Sequence, residues 1–185
     1  GVIGGTKTPN LNKIRNAKPD LVIMDREENP KEVYEELTKM GIETYVSTVE
    51  QPSDVPNLLL ELGYRLNLET KANVLAEAIE QELIACERGT GPVVLPMIWH
   101  EPLMAVSPQK YSGALLETCG FQVPDIDPSG NGYPVVTAEQ IHSHGIEGLL
   151  LSSEPHEFSK QEGESICDAV EALGGQRPWA QCIDG

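Results

Sequence analysis

Basic residues are scarce in this chain of 185 residues: 13 Lys and Arg stand against 29 Asp and Glu, a net charge of −16. Gripping a phosphate backbone takes clustered Lys and Arg, so no nucleic-acid partner is expected. Aromatics are few, at 5%, yet hydrophobic residues reach 39% and fall into helix and strand patterns, which sets the chain apart from disordered sequences. Long apolar runs are missing as well; none approaches the roughly 18 residues of a membrane span. No basic-then-apolar leader opens the sequence, which starts "GVIGGTKTPN". That leaves a cytoplasmic protein or a leader lying outside this sequence. The cysteines Cys86, Cys119, Cys167 and Cys182 form no CxxC pair, so neither a zinc knuckle nor a redox dithiol is indicated. Buried free thiols are the expectation, with a Cys167–Cys182 bridge left open. Also absent are GxSxG, a P-loop and a dinucleotide fingerprint.

What is present reads as alternating helix and strand. Thr8 and Pro9 suit the start of a short helix carrying Leu11, Ile14 and Ala17. "DLVIMD" reads as a doubly buried strand, and Asn29-Pro30 as N-cap and first turn of a helix with Val33, Leu37 and Met40 on one face, closed by Gly41. "IETYVS" is the next strand. Leu68, Ala72, Leu75, Ile79, Leu83 and Cys86 recur at helical spacing, which predicts a helix over about 68–88, roughly 30 Å long. Its residues Glu69, Glu77, Glu80 and Glu82 form the wet face. "PVVLPMIW" and "LMAVS" follow as strands, Tyr111 to Cys119 as a helix, and "GFQVPDIDPSGNGYP" as a loop. A helix over Ala138 to His144, the strand "EGLLLSS", a helix over Ser159 to Leu173 and a last strand complete the chain.

The segments around "LVIMDREENP" and "LLLSSEPHEF" repeat one order of elements: short helix, buried strand, acidic loop, longer helix, glycine, strand. The expected fold is therefore α/β, two Rossmann-like lobes with parallel sheets joined by a long backbone helix. The first lobe covers 1–62, the linking helix 63–89 and the second lobe 90–185. In parallel sheets ligands sit at the carboxyl ends of the strands, where both acidic loops lie.

"VIGGTKTPNLNKIRNAKPDLVIMDREENP", "LLETCG", "YPVVTAEQI" and "LLLSSEPHEF" together resemble the cobalamin- and siderophore-type substrate-binding proteins of bacterial ABC importers, the class with a helical backbone between lobes. The likeness spans nearly the whole chain in order. It implies a receptor that holds cobalamin or a related metal chelate between its lobes, passes it to a permease, and does no chemistry. It also implies a periplasmic or extracytoplasmic place and no resident cofactor. The family has a strand and helix before "GGTKTP" and a helical segment after the final "DG". An incomplete first lobe of two strands is thus expected here, open to self-association through its edge. Permease docking through one acidic residue per lobe maps to Glu139 on the second lobe, but to Asn12 on the first, where the charge is lost.

Candidate ligand contacts are Thr6 and Lys7, which replace the family's aromatic after "GG", with Glu28, Trp99, His100, Tyr111, Tyr133, Glu154 and His156. Glu27 and Asn29 share the first acidic loop, with Asn29 read as the cap. Trp99 offers a flat contact surface at low entropic cost. The competing reading packs Trp99 at a strand end and leaves the histidines solvated. A direct Zn or Mn receptor is the alternative, with His100, Glu101, Glu154 and His156 as nitrogen and carboxylate ligands, though no HxH or HExxH spacing fixes two of them on one element. His142 and His144 read as surface residues. A chelatase-like enzyme using Glu154 and His156 as acid and base trails, and a non-binding, self-associating member stays open.

Overall fold

In the computed structural model, which describes residues 1–86 and 89–184, Asn10 rather than Thr8 caps the first helix. Its side chain accepts the Lys13 N–H at 3.0 Å, and α1 runs Leu11–Ala17 until Lys18 turns left-handed. Strand β1 (Val22–Asp25), helix α2 (Lys31–Lys39) and strand β2 (Thr44–Ser47) follow. The strands pair in parallel, Val22 beside Thr44 and Asp25 beside Ser47, so α2 is the crossover of a βαβ unit. Ile14, Met24 and Leu37 form the core, with Leu11, Val22, Val33, Ile42 and Val46 packed around it. β1 is not doubly buried as its apolar run suggests: Met24 is 6% exposed but its neighbour Ile23 is 52% exposed. Asn29 does not cap α2 either. Its side chain accepts from the Asp25 N–H at 2.8 Å and donates to the Thr6 carbonyl at 2.8 Å, tying the strand-end loop to the glycine-rich segment.

The chain separates into two compact units, Gly1–Val49 and Glu50–Gly185. The second opens with a 3-10 turn (Pro52–Asp54) and two helices, α3 (Val55–Arg65) and α4 (Glu69–Ala85). Helix α3 went unread in the sequence, and the expected first-lobe boundary at 62 falls within it. The two pack closely because Gly63 has no side chain; a Cβ there would overlap the Ala72 methyl. Ala72 and Ala76 are the buried positions of α4, whereas Leu68, Leu75 and Cys86, expected on its apolar face, are exposed. Residues 87 and 88, the end of the expected helix, lie outside the described residues.

The sheet of this unit has the order β4–β3–β5–β6, with β3 (Val94–Trp99), β4 (Met104–Ala105), β5 (Gly148–Ser152) and β6 (Trp179–Ile183). β3, β5 and β6 are parallel; β4 is an antiparallel edge joined to β3 across a register shift between Met97 and Trp99. Leu95, Met97, Leu149 and Leu151 share the main core with residues of α6 (Ala138–Ser143) and α7 (Lys160–Glu171). Burying each of these side chains stabilises by about 1.5–3 kcal/mol. Val94 and Leu150, on the alternate face, pack with Val123 and with Leu116 of α5 (Tyr111–Thr118). Helices on both faces of a mostly parallel sheet make this a doubly wound α/β unit. All four cysteines are free thiols; Cys167 alone is fully buried, while Cys86 and Cys119 are exposed, against the expectation of buried thiols.

Candidate functional site

Strands β3 and β5 are parallel neighbours, so their carboxyl ends leave the sheet at the same edge. At the end of β3, Trp99 turns its indole N–H onto the Glu101 carbonyl at 2.9 Å and stays 40% exposed, with His100 next in sequence. At the end of β5, Ser152 holds the loop through its hydroxyl, which accepts from the Glu154 N–H at 3.1 Å. Phe158 then drops into the core and anchors the far end of that loop.

Around Phe158 the rings assemble. The His156 ring meets Phe158 edge-on at 4.7 Å between centroids, His100 meets it edge-on at 6.2 Å, and Trp99 meets His156 at 5.7 Å. The two imidazoles lie nearly parallel, 14° between planes and 5.9 Å apart. Helix α7 completes the group. Ser159 caps it, and the capping box binds Glu162 Oε2 to the Ser159 N–H and hydroxyl, both at 2.7 Å. The other oxygen, Oε1, faces His156 Nε2 at 3.0 Å and His100 Nδ1 at 3.5 Å. Gly163 sets this depth, since a Cβ there would press on Leu151 Cδ1 and push α7 from the sheet. The Ser159 hydroxyl, then its backbone N–H, and more weakly His156, hold the Glu162 carboxyl down at about 2. It is a carboxylate at any physiological pH.

The structure thus brings together Trp99, His100 and His156, and adds Glu162, which sequence reasoning missed. The signal was present as Ser159-x-x-Glu162, a capping box that fixes where that carboxylate stands. Glu101 and Glu154 do not join the histidines. Glu101 meets Trp99 through its backbone, and Glu154 lines a separate cavity of about 380 Å³ on the α5 side of the sheet, with Tyr111, Ile98, Leu115 and Ile183. Tyr133 lies under the Lys110 ammonium, 5.0 Å from ring centre to nitrogen. His142 and His144 are exposed, as expected. Glu139 stands exposed in the first turn of α6, its carboxyl held below the ordinary value by the Thr137 hydroxyl.

In the first unit, Thr6, Lys7 and Glu28 gather beside the end of β1. The Thr6 hydroxyl donates to Glu28 at 3.2 Å, and Lys7 lies 3.8 Å from the same oxygen. His100, His156 and Glu162 are a group suited to hold a metal: one ligand atom from each lies within 4.8 Å of the others.

No helix among the described residues is long and apolar enough to cross a membrane. No curated protein matches the sequence. Solved structures do. The heme-binding protein HutB of Vibrio cholerae matches with a TM-score of 0.78 at 19% identity, over 99% of this chain and 74% of that one. The vitamin B12-binding protein BtuF of Vibrio cholerae matches at 0.69 and 19%, over 96% and 71%. An ABC transporter substrate-binding protein of Listeria monocytogenes matches at 0.70 and 18%, over 93% and 70%. At such identities the likeness is one of fold, and the chain is shorter than each of these neighbours. The sequence itself fits the model of the periplasmic binding proteins across residues 2–174. The chain belongs to the periplasmic binding protein family, a family of substrate-binding proteins rather than enzymes.

Proposed function

We propose that this chain is the substrate-binding component of an ABC importer and that its ligand is a metal chelate of the cobalamin or heme type. The observation that carries the reading is the cluster of Trp99, His100 and His156 at the carboxyl ends of β3 and β5, braced by Phe158. A flat apolar macrocycle gains by lying against an exposed indole. Imidazole nitrogens beside that surface suit a metal with an open axial position. The fold neighbours include a vitamin B12-binding and a heme-binding protein, which supports the class without choosing between them.

In this reading the two compact units, Gly1–Val49 and Glu50–Gly185, correspond to the two lobes of the family. Tyr111, Tyr133 and Glu154 are the further candidate contacts of the second unit, with Tyr111 and Glu154 in the cavity on the α5 side, and Thr6, Lys7 and Glu28 are the candidates of the first. Glu139 docks the permease from the second lobe, while Asn12 leaves the first without its acidic counterpart. Titration of the purified chain with cobalamin, then hemin, then a ferric siderophore tests the proposal. Micromolar or tighter binding of one chelate is expected, weakened about tenfold or more by Trp99→Ala. Silence toward all three overturns it.

A further inference from the structure

The group formed by His100, His156 and Glu162 has its own chemistry, and we infer that it binds a bare divalent transition ion, with Zn²⁺ the best match, through His100 Nδ1, His156 Nε2 and Glu162 Oε1. The inference does not depend on the chelate reading, although both use the ends of β3 and β5.

Three features carry it. The donor set is two imidazole nitrogens and one carboxylate oxygen, which is the composition of a three-ligand zinc site with one position open. Spacing is the second. An ion about 2.0–2.1 Å from each of three tetrahedral ligands sets those atoms about 3.3 Å apart. Here Oε1 stands 3.0 Å from one nitrogen and 3.5 Å from the other, and all three fall within 4.8 Å. Small rotations of the imidazoles close that triangle around an ion.

The third feature is orientation. Oε2 of Glu162 is engaged twice by Ser159, which leaves Oε1 as the oxygen turned toward the histidines. A ligating carboxylate held by hydrogen bonds on its other oxygen is the supporting arrangement that metal sites use. Phe158 braces both imidazoles edge-on, so neither ring must be ordered from free rotation when the ion arrives. The side chains keep 26–30% of their surface exposed, enough for an ion to enter and for water to fill the fourth position. Among the described residues neither Glu101 nor Glu154 falls in that group, so the carboxylate ligand is the one on α7.

The experiment titrates the metal-free chain with ZnCl₂ by calorimetry, and with CoCl₂ by visible absorption, where a tetrahedral site gives intense d–d bands. One Zn²⁺ per chain at the high-affinity step and a tetrahedral cobalt spectrum are expected. His100→Ala and His156→Ala should each lower affinity by about 10–100-fold or more, since even supporting residues of metal sites cost that much. Glu162→Gln is the discriminating variant. Glutamine keeps the capping box, so the helix start survives while the anionic ligand is lost; an equal fall in zinc affinity with unchanged circular dichroism is expected. Unchanged Zn²⁺ affinity in the His100→Ala/His156→Ala double variant overturns the inference, as does an octahedral cobalt spectrum or the absence of binding. Cobalamin and hemin titrations on the same preparation separate the two readings. Zinc binding with no chelate binding sinks the chelate proposal alone, and chelate binding with no zinc binding sinks this one alone.

Discussion

The two strand-end loops, "DREENP" after β1 and "SSEPHEF" after β5, follow the same order of elements but use their polar groups in opposite ways. In the first, Asp25 accepts the Glu27 and Glu28 N–H groups at 2.9 and 3.2 Å, and its other oxygen accepts the Ser47 hydroxyl at 2.8 Å. Asn29 is used twice in the same loop, and Lys7 and Thr6 both meet Glu28. Those contacts fasten the loop to its own unit. In the second, the fastening is concentrated at the Ser152 hydroxyl, Phe158 and the Ser159 cap, and between them His156 turns its Nε2 onto Glu162 Oε1 at 3.0 Å, with His100 Nδ1 3.5 Å from the same oxygen. A loop that spends its polar groups on its own backbone serves as a support; one whose ends are fixed while its side chains gather nitrogen and carboxylate atoms at one point has the makings of a site. The contrast extends to the cores. Three buried residues stand behind the first loop, while the sheet behind the second is covered on both faces.

The largest test of that contrast is a matched pair of core truncations. Leu95→Ala and Leu37→Ala each remove a side chain with 0% exposure, and each should cost about 2–5 kcal/mol. The consequences should differ in extent. Leu37 is one of three buried residues, so its loss should strip hydrogen-exchange protection from Val22–Asp25 and Thr44–Ser47. Val94–Trp99 should keep theirs. Loss of protection in both sheets from Leu37→Ala would show one cooperative unit and break the comparison.

Next in size is Asp25→Ala. Three donors lose their acceptor, and the expected loss is about 1–3 kcal/mol in urea unfolding. Zn²⁺ affinity should not change, because this loop serves as a support. A fall in zinc affinity as large as that of His156→Ala would give the first loop a part in the zinc site.

Ser159→Ala comes third, with about 0.5–2 kcal/mol lost from the start of α7. It should also lower zinc affinity, but by less than removal of either histidine, since Glu162 would remain present yet lose the hydroxyl that helps to aim it. Unfolding curves and calorimetry on one preparation check both halves.

Much of the fold is legible in the amino-acid order alone. β1, β5 and the helices that follow them stand out as apolar runs bounded by glycine, proline and acidic residues, and the parallel pairing of β5 with β6 follows from their repeated order. His100 and His156 are legible as candidates because each follows the end of an apolar strand; that those two strands are parallel neighbours comes from the structure. Their carboxylate partner is not. Glu154 is nearer in sequence, but it lines the α5-side cavity. Glu162 arrives from a helix N-terminus whose depth depends on Gly163 lying against Leu151. Periodicity reports which face a residue occupies, not how deeply a neighbouring helix sits. Helix α3 is absent from the sequence reading, although Pro52 and Pro56 fall where proline is compatible with the start of a helix. The exposure of Ile23 escapes for another reason: an apolar run shows that a strand can be covered on both faces, not that it is.

The smallest expected effect is also the most specific. Glu162 titrates near 2 in the folded chain against an ordinary value of 4.5, with the Ser159 hydroxyl as the main cause. A carboxyl depressed on folding stabilises above its unfolded value, and that contribution fades as the pH falls toward the folded one. The capping box should therefore be at full strength above about pH 4.5 and should be lost as the pH falls through about 2. Glu162→Gln keeps a capping partner but has no proton to gain in that range. The difference in unfolding midpoint between the natural chain and this variant should shrink on acidification from about pH 4.5 toward 2. In a Ser159→Ala background, where the main cause of the depression is gone, the same difference should vary much less with pH. A flat difference for Glu162→Gln in the natural chain would mean that Ser159 does not fix that carboxylate, and the contrast between the oxygen held by Ser159 and the one facing the histidines would fall with it.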